Sequence, residues 1–593
     1  MIRWQAKASG RRDRYRLESE ALLTRLGRER MQAVRESETS EPVLAHTGDR
    51  TVLITVGLED WFHVGALGDV VSRRRWDRFE SRVVESTNRT LDLLDVHGAR
   101  ATFFTLGWLA EEQPELLRQV VARGHEIASQ GHAHRTIREM TPDEFRTDVR
   151  RAKDAIEEAT GKRVLGHRVP HFLGPKDLWA LDVLAEEGYA YDSSVRPLLH
   201  RFGGRGGAEW RETHALTGHN GHAFHEVPIS SLDGPFGLAL PIAGGNFFRQ
   251  LPETWVDGVV DRWFAAHDAP FVLYFHVWEL DDAQPRINAS RLALLRHYRN
   301  LARMPVLLDR TLARWGGTSV ASFLKLEHAA VEPRARTLTL AAVPRPTEAP
   351  VTTRPPVAIV IPCYHEEQTL SYLDRTLRRL TETLSERWTP RFIFVDDGST
   401  DGTWDTLQRL FGERSDCQFE RHAQNRGVAA AILTGIKAAP VGTDIVCSMD
   451  CDCTYDPIEM ATMIPMLEPG VDLVTASPYH PKGRVVNVPG WRLTLSRGAS
   501  LLYRAVVGQG LHTYTSCFRV YRKSAVVDLE LTEGGFLGVA ELLGLLALRG
   551  GRIVEHPATL EVRLFGQSKM KTAKTIQGHL RLLSRFASAK ARR

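Results

Sequence analysis

The sequence predicts a two-domain α/β protein, on three observations. Its 593 residues are more than one hydrophobic core organises. Two successive series of short apolar runs alternate with runs of helical periodicity, one over 51–325 and one from Val357 onward, the pattern of strands joined by crossover helices. Between them, residues 327–356 hold six prolines and little apolar periodicity, as an interdomain linker does.

Taken in order, residues 1–50 form a polar, arginine-rich extension in which Leu17, Leu22, Leu23 and Leu26 fall at the spacing of one amphipathic helix. The first α/β domain covers 51–326, with strands expected at 51–56, 101–105 and 271–275 and helices at 112–123 and 142–158. The second covers 357–570, with strands expected at 357–361, 391–395, 445–449 and 471–475. Residues 571–593 form a basic tail. No acid follows Glu561, nine Lys or Arg lie within 563–593, and Ile576, Leu580, Leu583 and Ala587 recur at helical spacing, which suits an anionic membrane surface.

Composition narrows the function class. Apolar content of 43% and charged content of 25% are ordinary for a globular protein, and a net charge of +5 does not call for nucleic acid. No run of 18 apolar residues suggests a transmembrane helix, and the N-terminus lacks the apolar core of a secretory signal. All six cysteines follow residue 360, so a disulfide framework is not expected and a cytoplasmic location is. Cys447, Cys451 and Cys453 lack the C-x-x-C spacing and histidine partners of a zinc site.

The chemistry of the second domain starts from Asp450 and Asp452. An apolar run, Ile445-Val446-Cys447, delivers these two carboxylates to a strand end, where open α/β sheets bind ligands. Side by side they repel unless a cation sits between them, and Mg²⁺ or Mn²⁺ with phosphate oxygens as further ligands fits hard oxygen donors. Upstream, Val357-Ala358-Ile359-Val360-Ile361 runs into Pro362-Cys363-Tyr364-His365-Glu366-Glu367. Likewise Phe392-Ile393-Phe394-Val395 runs into Asp396-Asp397-Gly398-Ser399-Thr400-Asp401. Three acid-bearing strand ends in one β/α series are hard to explain as helix caps alone.

This ordered set, with Gln424-Asn425-Arg426-Gly427, Leu495-Ser496-Arg497-Gly498, Ser516-Cys517-Phe518-Arg519 and the stretch from Arg563 to Lys569, resembles family 2 glycosyltransferases of the GT-A (Rossmann-like) fold. Within them it is most similar to the dolichol-phosphate mannosyltransferase-like, polyprenyl-phosphate branch. The resemblance implies that Pro362, Tyr364, Glu366, Asp396 and Asp397 line the pocket of a nucleotide-sugar donor. It implies that Asp450 and Asp452 hold the metal-diphosphate, and that Arg497, Arg563 and Lys569 face donor or acceptor phosphates. His365, Thr454, Pro478 and Val539 depart from the usual residues of that branch. A hydroxyl acceptor requires a general base, for which Glu541 or Glu533 is available, whereas a polyprenyl phosphate is already anionic and requires none. A lipid-phosphate acceptor at the inner face of the membrane and a glycan hydroxyl therefore both remain open as acceptors.

In the first domain, Thr55-Val56-Gly57-Leu58-Glu59-Asp60-Trp61-Phe62-His63 is followed by Ser129-Gln130-Gly131-His132-Ala133-His134, Gly166-His167-Arg168, Tyr191-Asp192-Ser193 and Phe275-His276-Val277-Trp278-Glu279. The order resembles polysaccharide deacetylases of the NodB-homology group, in the subtype associated with exopolysaccharide systems, and implies a distorted (β/α) barrel of seven or so strands. It also implies a metal held by Asp60 (or Glu59) and His134, with His276 as the late acid. Gly57 occupies the position of the catalytic base and Gln130 that of the first histidine ligand. His132 is a substitute ligand two residues from His134. These changes make a divalent metal and deacetylation in this half doubtful, so a degenerate, glycan-binding domain is expected. The alternative is a bifunctional enzyme whose two halves act on one sugar.

Overall fold

In the computed structural model, the described residues are 15–22, 24–25, 50–195, 213–217, 223–233, 239–326, 354–488, 490–566 and 572–591. They fall into two units: Met1–Arg73, Ser81–Pro285 and Ser290–Thr339 form one, and Arg74–Glu80, Arg286–Ala289 and Leu340–Arg593 the other. The expected linker lies outside the described residues except at 354–356, and Leu23 and Leu26 of the expected first helix do too.

Runs of β-branched and aromatic residues with both faces covered become parallel strands, and the first unit is built from them. Its strands are β1 (Val52–Leu58), β2 (Thr102–Thr105), β3 (Glu126–Ser129), β4 (Gly166–His167), β5 (Tyr191–Asp192), β6 (His214–Thr217), β7 (Ala223–Glu226) and β10 (Phe271–His276). A small hairpin, β8 (Ser231–Asp233) with β9 (Ala239–Pro241), stands apart. The main sheet has the order β10-β1-β2-β3-β4-β5-β7-β6, and only the β6–β7 pair is antiparallel. Seven strands thus run parallel around a curled half-barrel, which matches the expected distorted barrel. Every residue of β1, β2 and β3 is buried. The helix over 142–158 is present as α1 (Pro142–Thr160). Thr141 and Glu144 cap it reciprocally, and Gly161 closes it in the left-handed region at φ 66°.

The second unit carries a seven-stranded sheet of order β13-β12-β11-β14-β17-β15-β18. Its members are β11 (Pro356–Cys363), β12 (Thr389–Asp396), β13 (Cys417–Arg421), β14 (Ile445–Ser448), β15 (Leu473–Ser477), β17 (Arg519–Arg522) and β18 (Ile553–Pro557). A second, two-stranded sheet joins β16 (Arg484–Val486) to β19 (Thr559–Glu561). Only β17 runs antiparallel to its neighbours in the large sheet. From β11 the chain steps outward to β12 and β13, then returns to the other side of β11 as β14, and this reversal opens a crevice at the strand ends. The crossover helices α2 (Leu370–Leu384), α3 (Thr403–Phe411) and α4 (Val428–Ala438) bury one stripe each, as Leu370, Leu373, Leu377, Leu380 and Leu384 do in α2.

Three later helices complete this unit: α5 (Gly490–Val507), α6 (Phe536–Leu548) and α7 (Thr572–Ala591). The basic tail is therefore largely one helix with a buried stripe. Leu582, Leu583 and Phe586 are buried, and the Phe586 ring packs over Gly544 of α6. Ile576 and Leu580, on the same periodicity, stay exposed.

Candidate functional site

The crevice between β11 and β14 opens into a cavity of about 1030 Å³. Pro362, Tyr364, Glu366, Asp397, Asp450 and Asp452 form its polar end. Parallel pairing brings them together: Val360 lies beside Ser448 and Cys363 beside Asp396, so three loops leave the sheet at one edge. Burial, and next the neighbouring Asp452 charge, push the Asp450 carboxyl up to about 7. Burial also raises that of Asp452, against the pull of Arg563. Arg563 Nη1 lies 3.4 Å from Asp452 Oδ2, and its other terminal nitrogen pairs with Glu366. Two adjacent half-buried carboxylates held above their ordinary range are a donor set that a divalent cation relieves, so the residues present fit Mg²⁺ or Mn²⁺.

The same cavity also has an extensive apolar lining. Leu493, Leu495 and Leu502 reach it from α5, Phe536 from α6, and Ile576 and Leu580 from α7. One continuous space thus joins paired carboxylates to a leucine-rich groove.

Other expected residues have structural partners. Asp396 is fully buried below the cavity wall, where Oδ1 accepts from Ser399 N (3.1 Å) and Oδ2 pairs with Arg421 Nε (3.0 Å). Asp397, on the wall, accepts from Arg426 N (2.8 Å) and Gly427 N (2.7 Å) and so shapes the Asn425–Val428 turn. His365 adopts φ 53°, in the left-handed region. Arg497 is exposed and stacks over Tyr479, 5.4 Å from the ring centroid. The Glu541 carboxylate is fully buried and bonded to Thr532, Glu533 and Arg585. Lys569 lies outside the described residues.

In the first unit, Glu59 rather than Asp60 faces the histidines. Glu59 Oε2 lies 3.0 Å from His134 Nε2, and Oε1 lies 3.4 Å from His276 Nε2. Burial disfavours the Glu59 charge, yet His134, His276 and His63 outweigh it and hold the carboxyl at about 2. Behind His276, Glu279 Oε2 accepts from its backbone N (3.0 Å) and lies 3.3 Å from Nδ1, while buried Arg249 donates from Nε to Glu279 Oε1 (2.7 Å). Asp60 is turned away. Its carboxylate accepts from Ser81 Oγ (2.5 Å), Trp61 N (3.0 Å) and Arg82 N (3.1 Å), and burial raises it to about 6. His132 Nε2 pairs with Glu111 at 3.1 Å, away from His134. Asp192 bonds to His167 (3.1 Å) and Ser194.

Of the expected set, Glu59 and His134 are brought together beside His276. Asp60 is instead engaged by a turn. Strand alternation favours Glu59 over Asp60 of the two expected alternatives. Residues 57 and 59 share one side of a period-two strand, and Gly57 lies beside His276 in register. The Glu279–Arg249 pair leaves no trace in sequence spacing, because thirty residues separate the two.

Residues 358–529 match the family model for glycosyl transferase family 2. The chain is 30% identical over 230 residues to a polyprenol monophosphomannose synthase of Mycolicibacterium smegmatis, an alignment covering 38% of this chain and 84% of that protein. The chain belongs to glycosyl transferase family 2. A dolichol-phosphate mannosyltransferase of Pyrococcus furiosus is 29% identical over 232 residues, 39% of this chain; there the chain spans only 63% of its relative's length. Residues 76–191 match the polysaccharide deacetylase model and 193–325 a domain of unknown function, DUF3473. A Mycobacterium smegmatis structure assigned as a polysaccharide deacetylase is similar at 19% identity and a TM-score of 0.31, covering 50% of this chain and 99% of its own. By its family matches, the chain joins a deacetylase-like domain to a family 2 glycosyltransferase domain. What sequence reading missed in the glycosyltransferase domain is the apolar groove of the cavity, because its side chains come from three helices far apart in the chain.

Proposed function

We propose that the glycosyltransferase domain transfers a sugar from a nucleotide-sugar donor to a polyprenyl phosphate, working as a peripheral enzyme at a membrane surface. The observation that carries this reading is the single cavity lined both by paired carboxylates and by exposed leucines of α5 and α7. An amphiphile with a phosphate head and an isoprenoid tail has that polarity, and a glycan does not.

Asp450 and Asp452 would hold Mg²⁺ or Mn²⁺, which supplies charge neutralisation for the departing nucleoside diphosphate. Tyr364 and the turn shaped by Asp397 bound the donor. Arg563, already beside Asp452 and Glu366, stands where negative charge develops on the leaving phosphate. A phosphate acceptor is ionised at neutral pH, so no side chain has to remove its proton. This agrees with Glu541 being engaged by four hydrogen bonds. No helix among the described residues is long and apolar enough to cross a membrane, and surface attachment through α5 and α7 meets the need to reach a lipid.

Incubation with radiolabelled UDP- or GDP-sugars, Mg²⁺ or Mn²⁺ and polyprenyl phosphate should give an organic-soluble product that Asp452→Ala abolishes. A product confined to the aqueous phase, with a glycan as acceptor, would overturn the lipid reading.

For the deacetylase-like domain we infer a degenerate, metal-free role. The observation that favours it is the closed charge pairing of Glu59 with His134 and His276.

A further inference from the structure

We propose that Glu541 and Arg585 are positioning residues that join the acceptor end of the transferase cavity to its donor end; this rests on the acceptor reading above. Glu541 lies in α6 with no exposed surface. Its Oε2 accepts from Thr532 N at 3.0 Å and Glu533 N at 2.8 Å, and its Oε1 from Thr532 Oγ1 at 2.6 Å. One carboxylate thereby fixes the turn that precedes α6. The fourth partner comes from another helix: Arg585 of α7 donates from Nη2 to Glu541 Oε1 at 2.9 Å and from Nη1 to Thr532 Oγ1 at 2.5 Å.

The held turn acts in two directions. The carbonyl of Gly534 accepts from Ala429 N (2.7 Å) and Ala430 N (3.0 Å), two of the first-turn donors that α4 leaves without intrahelical partners. Gly427 and Val428, just before them, line the donor side of the cavity. Gly535 and Phe536, just after Gly534, line the same cavity. On the other side, α7 places Ile576, Leu580 and Leu583 on the apolar wall, and Arg585 is the residue that bonds this helix to the held turn. A displacement of α7 by a lipid tail is therefore transmitted through Arg585 and Glu541 to the turn that seats the donor. A buried carboxylate is suited to this, because hydrogen bonds to a charged group are stronger than neutral ones and are costly to leave unmade.

The test pairs a kinetic readout with a structural one. Arg585→Ala removes only the half-exposed side of the junction and leaves Glu541 its three bonds to the turn, so the fold is expected to persist. The KM for polyprenyl phosphate should rise roughly tenfold or more, the cost of one charge-assisted bond. Binding of the nucleoside diphosphate with Mn²⁺ should hold within about twofold, and Arg585→Lys should restore part of the loss. Glu541→Gln should keep the shape of the pH–rate profile; loss of its basic-side rise, with kcat down about a thousandfold, would make Glu541 a general base and overturn the proposal. Hydrogen exchange in the whole protein gives a readout independent of any acceptor. In Arg585→Ala the amides of Ala429, Ala430 and 532–536 should exchange faster. Unchanged exchange there overturns the junction even if no lipid product forms, whereas absence of product in the wild type with faster exchange in the variant overturns only the acceptor.

Discussion

Gly57 and His276 are neighbours across the β1–β10 pairing, and a Cβ built on Gly57 would lie 2.4 Å from His276 Cδ2. The absent side chain is thus what lets the imidazole reach Glu59. Restoring an acid by Gly57→Asp should force His276 aside and destabilise the protein by about 1–3 kcal/mol, the usual cost of overpacking. A fall in the denaturation midpoint, read by circular dichroism, checks this; an unchanged midpoint would mean that His276 moves at no cost. A second residue-scale expectation concerns pH. Burial, reinforced by Arg100 and Arg123, lowers His125 to about 3, and burial, reinforced by Arg249, lowers His297 to about 3. Unfolded, each would bind a proton below about 6.5, and folded, each does so only near 3. The unfolded state then holds more protons between these values, and stability falls as pH drops from about 6.5 toward 3. Glu279, held near 2 by Arg249 and His276 against the effect of burial, adds to the loss below about 4.5. Urea midpoints at pH 7.5 and pH 5 measure it, and His297→Gln should reduce the difference.

At the scale of elements, the tail helix is the instructive case. Its basic charge and helical period were legible in the sequence, but its period did not reveal which residues are buried. Leu582, Leu583 and Phe586 pack on α6, and this leaves Ile576 and Leu580 exposed beside the leucines of α5. Leu580→Glu removes apolar surface without touching the packed stripe. Co-sedimentation with vesicles containing anionic lipid should drop severalfold, each buried CH₂ being worth about 0.8 kcal/mol. Equal sedimentation would mean that this face does not meet the bilayer. The strands were more legible than the helices' orientation, because a run such as Val357–Ile361 has to be buried on both faces whatever surrounds it.

Over the whole molecule, the two domains differ in how they satisfy their charges. In the glycosyltransferase domain, Asp450 and Asp452 remain mutually repelling and open to a cavity. In the deacetylase-like domain the equivalent charge is closed upon itself by His134, His276 and the Glu279–Arg249 pair. By itself, the sequence determined the two α/β units and the strand ends that carry Asp396, Asp450 and Asp452, since each follows from apolar runs ending in carboxylates. Only the tertiary structure decided that Glu59, and not Asp60, faces His134, that Asp396 is buried while Asp397 lines the cavity, and that Glu541 is tied to Arg585. It alone also joined the leucines of α5 and α7 and Phe536 of α6 into one groove. The physical reason is that a carboxylate's role depends on which donors surround it in space, and those donors come from segments that local sequence patterns do not bring together.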